Sequence, residues 1–212
     1  MSSLDTAQVV TKVGPSYSAD GSLVTPRATK EGAFVVQDLH GRYYEQAARG
    51  KLYMSRAIVT APVIFTTAAG TGGPLLWNPP SSGINAAIIA VGFGVSVVTT
   101  VAAALGLTGA AGQTSAPGTT TAIDSVANML VGGGSPACTT YRVGTPTNAG
   151  TFLMPLADVH TGALTVDTGG VHWAEVGGAL VVPPGSWCSI SSSATATTLV
   201  AQLGLIWEEI AV

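Results

Sequence analysis

Charge is what this sequence lacks most. Of its 212 residues only 9% are Asp, Glu, Lys or Arg, against roughly 25% in ordinary soluble domains. Between Ala57 and Ile123 there is no charged residue at all. With 47% apolar residues, a free monomer with so few charges would stick to its neighbours. Much of the outside is therefore expected to be covered by copies of the chain or by partners. The formal net charge of −3 supplies no basic face to offset phosphates, which argues against a nucleic-acid partner. Cysteine is scarce too. Cys138 and Cys188 cannot make the disulfide framework of a small secreted domain and read as two buried thiols.

Catalytic groups are equally sparse. The sequence has no G-x-S-x-G elbow and no Walker loop, and Gly92-Phe93-Gly94 lacks the third glycine of a dinucleotide loop. Asp158, His160, Asp167, His172 and Glu175 form the one close grouping of acids and histidines. Their spacing follows no zinc signature, so they read as polar residues on loops and strand faces. No catalytic residue, metal or cofactor is expected. A membrane span over residues 84–112 would satisfy the ~20-residue requirement for crossing a bilayer. Gly92, Gly94, Ser96, Thr99, Thr100, Gly106, Thr108 and Gly109 dilute that run, however, and no Lys or Arg flanks it. No membrane partner is expected. Met1 to Val13 has neither a basic start nor an apolar core, so the chain is expected to stay in the cytoplasm where it is made until assembly.

What charge there is sits at the front. Residues 1–56 hold seven Lys/Arg and five Asp/Glu, whereas the remainder holds one basic residue, Arg142, and six acids. This shift divides the chain into an N-terminal arm and docking segment, 1–56, and a β-sandwich body, 57–212. Residues 1–31 carry no sustained period and read as an extended arm. Ala33 to Gln37 reads as a short strand and Asp38 to Gly41 as a turn. Arg42 to Gly50 reads as a short helix or an irregular loop closed by its glycine. Strand character resumes over residues 51–67.

The body is punctuated by turn clusters at Gly70 to Pro74, Asn78 to Gly83, Gly112 to Thr121, Gly132 to Pro136 and Pro183-Pro184-Gly185. Val-, Ile- and Thr-rich runs of strand length lie between them. That layout is an all-β fold, a jelly-roll-like sandwich. The last strand is the plainest. Leu199, Ala201, Leu203, Leu205 and Trp207 alternate with smaller or polar residues at the two-residue period of a strand facing a core. Residues 179–182 and 186–190, joined by Pro183-Pro184-Gly185, read as a hairpin beside it. The run from Ile84 to Leu107 is apolar or small on both faces. It suits a strand pair buried on both sides, or one packed against a symmetry mate around a trimer axis. Trp77, Trp173, Trp187 and Trp207 read as core. Arg42, Tyr43, Tyr44 and Arg49 are candidate partner contacts, able to stack on sugars or on a protein; the bland alternative puts one tyrosine in the core and the other in solvent.

Three stretches carry a resemblance. Asp38-Leu39-His40-Gly41-Arg42-Tyr43-Tyr44-Glu45, then residues 76–85 (Leu-Trp-Asn-Pro-Pro-Ser-Ser-Gly-Ile-Asn), and Leu180 to Gly185 with Ile206-Trp207-Glu208-Glu209 resemble virion structural proteins of tailed bacteriophages. The resemblance implies a particle component such as a capsid decoration, cement or fibre-type protein. It would form a homotrimer and bind the major capsid protein or another virion protein, with the virion as its location. It implies no catalytic residue. A head- or tail-fibre module that binds host surface glycans is the rival expectation, and it would show exposed Trp or Tyr beside polar groups.

Overall fold

The computed structural model describes residues 41–60, 73–97, 103–159, 172–192 and 199–212. The extended arm, the strand expected at 33–37 and the turn at 38–41, Gly41 apart, lie outside them. The chain divides into two units, residues 1–42 and 43–212, and the second holds the fold.

A five-residue helix, α1 (Tyr44–Ala48), is closed by Gly50 at φ 65°, the left-handed geometry a glycine adopts freely. Eleven strands follow among the described residues. They are β1 (Leu52–Thr60), β2 (Leu75–Asn78), β3 (Ile84–Val97), β4 (Ala103–Ala111), β5 (Gly118–Ala122), β6 (Ser125–Asn128), β7 (Thr139–Thr145), β8 (Thr151–Val159), β9 (His172–Val182), β10 (Ser186–Ser192) and β11 (Val200–Ala211). They form two antiparallel sheets, ordered β6-β1-β11-β3-β9 and β5-β7-β2-β10-β4-β8.

Eight of these strands pair first with last: β1 with β11, β2 with β10, β3 with β9 and β4 with β8. That is one long antiparallel ribbon rolled into two facing sheets, which is the jelly roll. The remaining strands, β5 to β7, interrupt the ribbon between β4 and β8. They widen one side of the sandwich, β6 lying outside β1 and β7 with β5 lying outside β2.

β11 behaves as its alternation requires. Leu199, Ala201, Leu203, Leu205 and Trp207 are all buried, and Trp207 stacks on Tyr53 with ring centroids 5.7 Å apart. Ile88, Val91, Leu76, Leu107 and Ile190 complete the core from both sheets. The segments once compatible with a membrane span are the strands β3 and β4, and no helix among the described residues is long and apolar enough to cross a bilayer. Part of the two-sided burial expected for the central run is met within the chain. Ala86 to Ile89 of β3 and Leu105 to Gly109 of β4 are buried residue after residue, and Thr108 of β4 hydrogen-bonds Ser191 of β10 at 2.7 Å.

Two readings need correction. Pro183-Pro184-Gly185 does not close a hairpin. β9 and β10 belong to opposite sheets, and β11 pairs with β1 and β3. The turn carries the chain across the end of the sandwich, where the Gly185 N–H bonds Asn78 O and Gly185 O accepts the Gln113 N–H. Local sequence signals a tight bend but cannot say whether the strands beyond it pair or part. The sandwich also takes in residues that the composition shift at 56 assigns to the arm, because β1 begins at Leu52 and Tyr53 is a core residue.

The insertion is tied down at both ends. Buried Gln113 accepts from the Thr147 N–H and hydroxyl, each at 3.0 Å, and donates to Ser115 O. Asn148 accepts from the Trp187 indole N–H at 3.0 Å and donates to Ala111 O. At the other end buried Glu209 accepts the N–H groups of Ala137 and Cys138, both at 2.9 Å. Cys138 and Cys188 are separate buried thiols. Burial pushes Cys188 up from the usual 9 to about 12, and burial followed by the nearby Glu209 charge raises Cys138.

Two outcomes follow. Trp207→Ala should cost about 3–5 kcal/mol of unfolding free energy, the usual range for emptying a large aromatic site, read from urea titration. A raised thiol holds its proton in the folded chain after the unfolded chain has lost it, so the thiol contribution to stability is full below the unfolded value and falls above it. Stability should therefore drop between roughly pH 9 and pH 12 by about 1.4 kcal/mol per pH unit per thiol, and Cys188→Ala should flatten that slope in denaturant titrations at stepped pH.

Candidate functional site

The outer face of the five-stranded sheet carries a row of residues in register: Ser125 of β6, Arg56 of β1, Gly204 of β11, Gly92 of β3 and Trp173 of β9. Two adjacent glycines in mid-sheet leave a floor of bare backbone. Trp173, on the edge strand, folds back over it. A Cβ at Gly92 would stand 2.9 Å from the benzo ring, and one at Gly204 would stand 3.5 Å from it. The indole remains 47% exposed. Met54, Arg56 and Gln202 join it around a hollow of about 270 Å³. An aromatic surface with an amide and a guanidinium at its rim can stack on a flat apolar face and hydrogen-bond its polar edge.

Beside this platform the Tyr43 hydroxyl donates to the Glu175 carboxylate at 3.1 Å. His172 stacks on Phe93 at 5.5 Å. The expected grouping of acids and histidines is only partly in view. His160 and Asp167 lie outside the described residues, as does the side chain of Asp158. Among the described residues no three His, Cys, Asp or Glu gather as metal ligands would.

The four candidate contact residues are dispersed in role. Tyr43 is engaged with Glu175. Tyr44 is half-exposed on α1. Arg49 lines a separate polar hollow with Glu45, Gln46, Lys51 and Glu208, where burial raises the Glu208 carboxyl. Arg42 is exposed and falls in the first unit. Of the tryptophans, Trp207 and Trp187 are buried and Trp77 half-buried, but Trp173 is not core. It stands on the outward face of β9, which among the described residues has no strand beyond it, a position that strand alternation alone does not reveal.

A second feature escaped the sequence reading. Residues 129–131, Met-Leu-Val, are exposed and consecutive, and Val131 is 97% exposed. Their loop is built, not slack. The Asn128 side chain accepts the Leu130 N–H at 2.9 Å and donates to Gly50 O and Gly134 O. The Gly133 N–H closes on Leu130 O at 2.8 Å across Gly132, whose φ of +84° requires glycine. A side chain at Gly133 would meet Asn128 at 2.6 Å. The signal available was an apolar triplet entering a Gly-Gly-Gly turn, where polar residues are the rule.

Set against known proteins, the chain matches no family model, no curated protein and no solved structure. The fold defines it as an all-β jelly-roll sandwich, and its candidate surfaces are an aromatic platform and a rigid apolar loop.

Gly92→Ala should displace the indole and lower stability by about 1–3 kcal/mol, the ordinary cost of overpacking, while raising the acrylamide-quenchable share of tryptophan fluorescence. Trp173→Ala should lower the unfolding free energy by about 1–3 kcal/mol, less than Trp207→Ala, since about half of its surface is already in water.

Proposed function

We propose that this chain is a structural subunit of a tailed-phage particle, a capsid decoration or cement protein. It associates with copies of itself as a homotrimer and binds the major capsid protein or another virion protein. The observation that carries the reading is the hydrogen-bonded loop holding Met129, Leu130 and Val131 in solvent on a sandwich nearly devoid of charge. Preorganised apolar anchors of this kind lower the entropy that docking must overcome. The action is mechanical. Apolar surface leaves water at about 25 cal/mol per Å², and many copies on a symmetric shell add avidity. Neither nucleic acid nor membrane enters, and no bond is made or broken.

A second reading rests on Trp173. Its exposure beside Arg56 and Gln202 suits a pyranose ring, whose C–H face stacks on indole while its hydroxyls meet amide and guanidinium, and it favours a fibre-type module for host surface glycans.

Mass spectrometry of gradient-purified particles from the source virus tests the first reading. The chain should be present in copy numbers comparable to a multi-copy shell protein, and its absence from intact particles would remove the proposal. For the second, chitotriose and maltotriose should quench wild-type tryptophan fluorescence saturably and leave Trp173→Ala unchanged; no quenching by either leaves the platform without this ligand class.

A further inference from the structure

Three regions of the sandwich offer themselves to a partner: the aromatic platform, the polar hollow beside α1 and the apolar loop at 129–131. The loop is the one for which the chain itself carries a complement. On the opposite side of the sandwich, beside β8 and β9, the last strands of the two sheets among the described residues, lies an apolar hollow of about 210 Å³. Leu153, Leu180, Val181, Pro183 and Trp187 line it, with Ser186 at its wall. It exceeds the ~150 Å³ that suffices to hold a benzene ring in a protein core. Ser186 is buried, and its hydroxyl has no hydrogen-bond partner among the described residues.

We infer that the apolar loop of one copy, Met129-Leu130-Val131, seats in the β8–β9 hollow of a second copy. This rests on the self-association reading above and assigns it a contact. Charge supports the pairing. Residues 125–137 contain no Asp, Glu, Lys or Arg, and neither does the lining of the hollow, so neither surface brings a charge that would be stranded on burial.

Register decides the geometry of the assembly. Asn128, at the base of the loop, is level across the sheet with Tyr53, Trp207, Ile88 and Leu180 in turn. Leu180 lines the hollow. Loop and hollow therefore sit at one height on opposite edges of one sheet, four strand spacings of about 4.8 Å apart. A copy placed to receive the loop needs little shift along the strands, and a head-to-tail contact without such a shift closes into a ring where the rotation between copies divides a full turn. The homotrimer proposed above requires a rotation of one third of a turn.

Strand addition at this edge is the competing contact, and both strands are built against it. β8 carries Pro155, which has no N–H to offer, and its pairing with β4 is broken by two register shifts. In β9, residues 176–179 bulge opposite the single Ile89, with Gly177 and Gly178 at positive φ. Side chains, not a shared ladder, are left to make the join.

The test uses the full chain and native mass spectrometry. Val131→Asp should shift the ring to monomer mass and weaken association at least roughly thirtyfold, the cost of stranding a charge in an anchor pocket. Its urea midpoint, measured on the monomer-scale dilution of both proteins, should stay at the wild-type value because Val131 touches little of its own chain. Mixing Val131→Cys with Val181→Cys under mild oxidation should give a disulfide between copies, whereas Val131→Cys alone should not. A wild-type ring that survives Val131→Asp overturns the loop contact and leaves self-association standing. Disulfide dimers from Val131→Cys alone overturn the head-to-tail arrangement. A wild type that is monomeric throughout overturns both readings.

Discussion

Strand β11 hydrogen-bonds to β1 on one side and β3 on the other, and sends Leu203, Leu205 and Trp207 into the space between the sheets. Its neighbours come from more than a hundred residues earlier in the chain. The roll cannot close until this strand arrives, and when it does the largest buried side chain, Trp207, arrives with it and stacks on Tyr53. The next residue to point inward, Glu209, then fixes the insertion by accepting the Ala137 and Cys138 N–H groups. A single alternating strand thus joins the two ends of the ribbon, fills the core and positions the loop at 129–134, which grows out of that same insertion.

Parts of this were legible in the sequence because they depend on local chemistry. The period of two from Leu199 to Trp207 can only be a strand with one buried face, and the glycine after α1 ends the helix at the position it marks. Pro183-Pro184-Gly185 shows a bend for the same reason. What the bend joins was not legible, because pairing is a long-range property: β9 finds β3 and β10 finds β2 and β4, none of them adjacent in sequence. Trp173 misled for a related reason. An indole in a strand normally enters the core, and only the glycines contributed by two other strands, Gly92 and Gly204, give it a resting place on the outside.

The scarcity of charge acquires a physical meaning once the sandwich is seen. A loop with three exposed apolar residues and a hollow lined by Leu153, Val181 and Trp187 are surfaces that water covers poorly. Salt bridges do little here. The Arg142–Asp124 pair at 3.2 Å is partly exposed, a setting in which such pairs contribute about 0–1 kcal/mol. Cohesion within the chain comes from burial and from the side-chain amides Gln113, Asn128 and Asn148, and the proposed cohesion between chains would draw on the same apolar chemistry.

The central claim is that copies of this chain cover one another's uncharged surface. Sedimentation equilibrium of the full-length protein over a wide concentration range tests it most directly. The account predicts one dominant species at three times the 21.1 kDa chain mass, insensitive to added salt because charge does not hold it together. A single species at 21.1 kDa at every concentration would contradict it.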